Sequence, residues 1–118
     1  MRMRPVTQIP ESMTRKQPSN VLSLEGEIDL HVSPEVAASL RSMIAKKPKQ
    51  LVVDLGGVTF FDSSGLAALI EAMQTVQGYG GKFVLASVQP SVQHIFEIAR
   101  LDQIFQILPD VDSALAAT

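Results

Sequence analysis

The sequence predicts an α/β domain with a small mixed, mainly parallel sheet that is covered by about four helices. Short apolar runs typical of buried strands alternate with segments in which apolar residues recur at helical spacing. Parallel strands need such crossovers, because the chain must return across the sheet between them. A length of 118 residues, of which 46% are hydrophobic, suits one domain with its own core.

The first strand of the body is predicted within residues 21–29, and a helix follows it. Ser33 is the predicted N-cap of this helix, and Pro34 suits the first helical position. Glu35 would lie at the positive end of the helix dipole. Residues 46–48, which are two lysines and a proline, are expected to end the helix.

Residues 51–55 form a nearly continuous apolar run, which predicts a central strand buried on both faces. The glycine pair 56–57 is interpreted as a turn, after which residues 58–61 continue to the next helix. The apolar stripe of this second helix runs from residue 66 to 76. The glycine-rich segment 78–81 is expected to stop it.

The last third of the chain repeats the alternation of strand and helix. Residues 83–86 predict a buried strand, and Pro90 opens a helix. Its inward residues are expected to be Val92, Ile95, Phe96 and Ala99. Residues 104–108 predict a final strand, and a short terminal helix is expected from residue 109 through 115.

Residues 1–19 are predicted to be a flexible tail on a domain that spans residues 20–118. They contain three prolines among polar groups and show no sustained period. A short edge strand near residues 13–16 is the alternative. The tail has four cationic residues against one acidic residue, so a basic tail precedes a mildly acidic domain.

Composition excludes several classes of function. The chain has no cysteine, so it has no disulfide scaffold, thiolate metal site or cysteine nucleophile. No phosphate-binding glycine loop with a lysine is present, and the two histidines show no metal spacing. A net charge of −2 argues against a nucleic-acid partner. Apolar runs are too short for a transmembrane helix, and the start is not a secretory signal. We therefore expect a cytoplasmic protein without metal or cofactor and without direct membrane insertion.

One cluster, Asp62-Ser63-Ser64-Gly65, lies where a strand pattern changes to a helix pattern. Aspartate and serine are favoured capping residues, so the cluster is explained in part as a helix start. Backbone N–H groups at that position are expected to be unpaired and to face outward, and the helix dipole is positive there. A phosphate on a serine would be tolerated at such a place.

A serine hydrolase is a second interpretation of the same cluster. A nucleophile elbow needs glycine two residues before and two residues after the serine. Gly65 satisfies the second position for Ser63, but Phe61 occupies the first. His31 and His94 are the two histidines; His94 is expected to be exposed on its helix, and neither is a convincing base.

Acidic residues cluster around the loop after the first strand: Glu25, Glu27, Asp29 and Glu35. They form either an ordinary solvated loop or a docking surface for a basic partner.

Four segments, in order, carry a resemblance to a known family. Val-Thr-Phe-Phe-Asp-Ser-Ser-Gly-Leu at residues 58–66 resembles the phosphorylation segment of bacterial anti-sigma-factor antagonists, which are STAS domains. Leu-Glu-Gly-Glu-Ile-Asp at 24–29 resembles their second strand and the loop after it. Residues 80–85 and 92–97 resemble a later strand and helix. The family usually begins with a regular strand, whereas prolines interrupt residues 1–19 here.

The resemblance implies a STAS-like fold and a non-enzymatic binding switch. Its expected partners are an anti-sigma factor that is also an ATP-dependent serine kinase and a metal-dependent serine phosphatase. The implied phosphorylation site is Ser63, with Ser64 as the less favoured neighbour. The implied docking surface includes Asp29, Gly65 and Leu66. STAS domains also occur in transport systems and other signalling complexes, so that role stays open.

Overall fold

The computed structural model describes residues 20–117, which form a four-stranded parallel sheet with helices on both faces. The strands, in spatial order, are β1 (Val21–Ile28), β2 (Gln50–Phe61), β3 (Lys82–Ala86) and β4 (Gln106–Leu108). The helices are α1 (Ser33–Ile44), α2 (Ser63–Gly78), α3 (Pro90–Ile98) and α4 (Val111–Ala116), with a 3-10 turn at Leu101–Gln103. The predicted α/β class is confirmed, and every pair of described strands is parallel. The predicted tail and the alternative strand at 13–16 lie outside the described residues.

β2 is one of the two interior strands of the sheet, and it pairs with β1 on one side and with β3 on the other. Leu51, Val53 and Leu55 are fully buried in the larger core, which α1, α2 and α3 cover. Val52 points to the opposite face and packs in a smaller cluster with Ala114 of α4. Because successive residues of a strand face opposite sides, burial on both sides explains the continuous apolar run, and the predicted central strand is confirmed.

The predicted turn at Gly56 and Gly57 is wrong, because β2 runs through both residues without a break. The pairing of β1 with β2 shifts register twice along this stretch, between Ser23 and Glu25 and between Gly26 and Glu27. A Cβ on Gly57 would come within 2.9 Å of the Glu25 Cβ. The glycines therefore allow an irregular strand pair rather than a chain reversal.

Two details at the helix ends also differ from expectation. The N-cap of α1 is Val32, with no side-chain cap, and the buried Ser33 donates its backbone N–H to the Asp29 carbonyl at 2.8 Å. On α3, Val92 and Phe96 are buried as expected. Ala99, however, is exposed, because the helix ends at Ile98 and Ala99 lies beyond its last turn.

The terminal helix α4 is confirmed, and two residues fix its ends. The side chain of Asp110 accepts the backbone N–H of Ser113 at 2.7 Å and caps the helix start. At the other end, the Gln50 side-chain amide donates to the carbonyls of Ala114 at 2.6 Å and Ala117 at 2.7 Å. These bonds satisfy carbonyl groups that a helix end leaves without a partner, and they dock α4 against β2.

Candidate functional site

The carboxyl ends of β1 and β2 bring the loop after β1 beside the start of α2. Ile28 pairs with Phe61 at the ends of the two strands, and the Asp62 backbone N–H donates to the Ile28 carbonyl at 3.1 Å. Parallel strands place the connections that follow them at the same edge of the sheet. Asp29, in the loop after β1, and Ser63, at the start of α2, are 34 positions apart in the sequence but therefore lie at the same edge of the sheet.

The carboxylate of Asp62 joins these two segments. Its Oδ1 accepts the backbone N–H groups of Ser64 at 2.9 Å and Gly65 at 3.1 Å, which caps α2. The same oxygen accepts the Ser64 hydroxyl at 2.6 Å. Its Oδ2 accepts the backbone N–H of Leu30, in the loop after β1, at 3.0 Å.

These donors keep Asp62 ionised. The Ser64 hydroxyl makes the largest contribution, followed by the Gly65 N–H, and together with the Ser64 and Leu30 backbones they lower the pKa of Asp62 below its ordinary value of 3.8. Desolvation acts in the opposite direction and is weaker. The start of α2 consequently carries a fixed negative charge at neutral pH.

The backbone N–H groups at the start of α2 already have a hydrogen-bond partner, which corrects one expectation from the sequence. The N–H groups of Ser64 and Gly65 are not open to a phosphate, because the carboxylate of Asp62 already binds both. A phosphate on the neighbouring serine would lie beside a carboxylate rather than in a vacant anion site.

The two serines of the cluster lie in different surroundings. Ser63 is the first residue of α2; its side chain is exposed, and its hydroxyl makes no hydrogen bond within the described part of the chain. Ser64 is half-buried and its hydroxyl is held by Asp62. The Ser63 hydroxyl is therefore the more accessible of the two.

Gly65 allows α2 to begin directly against the sheet. A Cβ at this position would lie 2.8 Å from the Ile28 carbonyl oxygen and 2.8 Å from the Phe61 ring. Both distances are shorter than any ordinary contact, so only glycine fits without displacing the helix. Leu66 is half-buried and packs against the core, with part of its surface exposed.

Asp29 shapes the loop opposite the helix start. Its Oδ1 accepts the backbone N–H of His31 at 3.0 Å, and its carbonyl accepts the N–H groups of Val32 and Ser33. The side chain is half-buried. Leu30, which follows it, has 68% of its surface exposed.

Sequence reasoning missed two apolar side chains near the site. Leu30 is exposed in the β1–α1 loop. Phe60, which pairs with Glu27 near the ends of β1 and β2, is 42% exposed. Both are large apolar groups that a folded domain usually buries, and partner surfaces commonly contain such groups. The exposure of Leu30 could have been predicted, because it lies in an acidic stretch typical of a loop. Phe60 lies in an apolar run, a pattern that predicts burial, so its exposure could not have been predicted.

The hydrolase interpretation gains no support from this geometry. His94 is exposed on α3, and His31 is exposed in the β1–α1 loop. Neither imidazole forms a hydrogen bond with the Ser63 hydroxyl in the described structure. Among residues 20–117, no cluster of potential metal ligands is found. Over the same residues, no helix has both the length and the apolar character needed to cross a bilayer.

The fold and the site define a STAS domain, and the family model for that domain matches residues 11–114. The chain belongs to the STAS family, in the group of anti-sigma factor antagonists. The anti-sigma-F factor antagonist RsfB of Mycobacterium tuberculosis is 30% identical to it over 95 residues, covering 80% of this chain and 77% of RsfB.

Solved structures agree with this assignment. An anti-sigma factor antagonist from Mycobacterium paratuberculosis matches with a TM-score of 0.77 and 29% identity, covering 86% of this chain and 88% of the other. A sulfate transporter family protein from Wolinella succinogenes shares the fold, with a TM-score of 0.74, 18% identity and coverage of 91% and 90%. The STAS-like fold expected from the sequence is therefore confirmed.

Proposed function

We propose that this protein is a phosphorylation-controlled binding switch. Without phosphate, it binds an anti-sigma factor that is also an ATP-dependent serine kinase. Phosphorylation of Ser63 releases that partner, and a metal-dependent serine phosphatase restores the binding form. The protein catalyses no reaction itself, uses no cofactor, binds no nucleic acid and acts in the cytoplasm.

The contrast between the two serines carries this proposal. The hydroxyl of Ser63 is exposed and unengaged at a helix start, whereas the Ser64 hydroxyl is bound to Asp62 at 2.6 Å. A kinase needs the acceptor oxygen to be accessible. Ser63 meets that requirement without any change in the fold, whereas Ser64 would first have to give up its bond.

The surroundings of Ser63 also explain how phosphate would weaken binding. A phosphate adds roughly −1.5 to −2 charge, and the neighbouring Asp62 is already ionised. Bound in a close interface, the added charge would have to lose its hydration beside another negative group. A loss of about 3 kcal/mol would lower the affinity roughly 100-fold.

We place the docking surface on the β1–α1 loop at Asp29 and on the start of α2 at Leu66. Asp29 and Leu66 are each partly exposed, and Asp62 joins the loop after β1 to the start of α2. Leu30, the residue after Asp29, is exposed and supplies apolar area. Negative charge from Asp29 and Asp62 suits a basic partner surface.

Affinity capture from native cells tests the proposal. Wild-type protein and Ser63→Asp would be immobilised in parallel, with Ser64→Ala as the matched control. We expect wild type and the control to retain a protein with serine kinase activity, and Ser63→Asp to lose it. Equal capture by all three proteins would contradict the switch.

A role as a subunit or regulator of a transport or other signalling complex is the second candidate. The likeness to the sulfate transporter family protein supports it, because the same fold serves there. Retention of a transporter, with no kinase activity, by the immobilised wild-type protein would favour this alternative.

A further inference from the structure

The cationic residues of residues 20–117 all lie toward one end of the sheet. Parallel strands begin at a common edge, and each helix brings the chain back to that edge before the next strand. The cations lie on these returning segments: Arg41 in the last turn of α1, Lys46, Lys47 and Lys49 before β2, Lys82 at the start of β3, and Arg100 after α3. We call the surface formed by Lys46, Lys47, Lys49 and Lys82 the basic end.

The basic end carries charge that the domain itself does not neutralise. All four lysines are exposed, and none forms an ion pair with a carboxylate in the described structure. The sequence has no Asp or Glu from residue 36 to 53 or from residue 72 to 96. The carboxylates that share this end, Glu97 and Asp102, lie on the connection before β4, so the positive charge is concentrated on the segments before β2 and β3.

The backbone holds these lysines in place. The Tyr79 hydroxyl donates to the Pro48 carbonyl at 2.8 Å, between Lys47 and Lys49. The Lys82 backbone N–H donates to the Lys49 carbonyl at 2.9 Å, which ties the start of β3 to the segment before β2. The cations are therefore presented on a braced surface rather than on a free loop.

Two exposed isoleucines accompany the positive charge. Ile104 is 50% exposed and lies between the 3-10 turn and β4, two residues before the strand begins. Ile98, at the end of α3, is 71% exposed. Lysine stems and nearby aliphatic groups together suit the boundary between lipid headgroups and acyl chains.

The opposite end of the sheet is acidic. It carries Glu25, Glu27, Asp29, Glu35 and Asp62, with Ser63 beside them. An extended anionic plane attracts one end of such a molecule and repels the other. Charge separation would thus orient the whole domain, although the net charge of the chain is −2.

We propose that the basic end is a peripheral docking surface for anionic phospholipid membranes. Lys46, Lys47 and Lys49 lie on the connection before β2, and Lys82 lies at the start of the neighbouring strand β3, so one extended anionic surface at this end of the sheet can engage them together. Docking in this orientation turns Ser63 away from the bilayer and leaves the switch accessible to its partners. This docking is independent of whether Ser63 is phosphorylated.

Vesicle co-sedimentation of the full chain at low ionic strength tests the proposal. The probes are vesicles of phosphatidylcholine with about a third phosphatidylglycerol and vesicles of phosphatidylcholine alone. We expect binding to the first only, with loss at high salt. Lys47→Gln with Lys49→Gln should lower partitioning about 25-fold, roughly fivefold for each charge removed. The matched variant Ala38→Glu with Gln74→Glu makes the same net charge change on exposed helix positions and should lose far less.

Four results would overturn the proposal. The first is no binding to anionic vesicles by the wild type, and the second is equal loss of binding in the lysine variant and the matched variant. The third is loss of binding when Arg2, Arg4, Arg15 and Lys16 become Gln, while the lysine variant still binds. The fourth is tighter binding to polyglutamate than to vesicles, which would indicate an acidic polypeptide as the partner. Thermal melting of each variant separates loss of binding from loss of folding.

Discussion

The carboxylate of Asp62 accepts the backbone N–H of Leu30 at 3.0 Å, and this bond joins the start of α2 to the loop after β1. The other oxygen of the same carboxylate caps α2. One side chain therefore fixes the relative position of two segments that we propose as a docking surface. A change in the charge around Asp62 would act on both segments at once.

We expect the stability of the protein to depend on the ionisation of Asp62. Its pKa is lowered in the folded state, so its contribution is complete above the unfolded value near 3.8 and is lost as the pH falls through the lower folded pKa. Asp62→Asn should be less stable at neutral pH and should lose less stability between about pH 5 and pH 2. Urea denaturation across this range measures the difference.

Asp112→Asn is the control for this prediction. Asp112 is exposed on α4, and its carboxylate accepts no hydrogen bond in the described structure. Its substitution should leave the pH profile close to wild type. If Asp62→Asn and Asp112→Asn gave the same profile as wild type, the bonds to Asp62 would not stabilise the fold.

Gly65 should tolerate no side chain. Gly65→Ala places a methyl group 2.8 Å from the Ile28 carbonyl and the Phe61 ring, so we expect a loss of about 1–3 kcal/mol in the free energy of unfolding. Gly78→Ala is the matched control, because a Cβ there meets nothing within 4 Å. Equal stability of the two variants would contradict the close packing of α2 against β1.

The charge of Asp29 should matter for partner binding more than for folding. Asp29→Arg loses one bond, to the His31 N–H, in an exposed loop, so the thermal midpoint should change little. Binding to the kinase partner should weaken at least about tenfold, because opposite charges would become like charges at the interface. Calorimetric titration with the partner measures this effect.

Glu97→Arg makes the same charge change on an exposed residue of α3, distant from the loop after β1. It should bind the partner as wild type does. Unfolding of Asp29→Arg would mean instead that Asp29 is structural.

Local sequence was sufficient to predict the elements whose signals depend on near neighbours. The run 51–55 and the helix that ends at Gly78 were confirmed, because burial on both faces and glycine stops leave a direct pattern. The turn predicted at Gly56 and Gly57 was wrong, because a glycine pair usually indicates a turn but here lies within β2. Here Gly57 accommodates the close approach of Glu25, which lies in a distant segment of the sequence.

At the site, too, contacts between near neighbours could be predicted from the sequence, and contacts with distant residues could not. The cap formed by Asp62 involves residues two and three positions away, and the sequence indicated it. Its bond to Leu30 spans 32 positions and depends on the pairing of β1 with β2. The exposure of Leu30 likewise depends on how that loop leaves the sheet.

The most direct test of the account is the position of the phosphate. Wild type, Ser63→Ala and Ser64→Ala would each be incubated with ATP and the kinase captured from native cells, then digested and mapped by mass spectrometry. We predict phosphate on Ser63 in wild type and in Ser64→Ala, and none in Ser63→Ala, which should still bind the kinase. Phosphate on Ser64 alone, or on neither serine, would contradict the account.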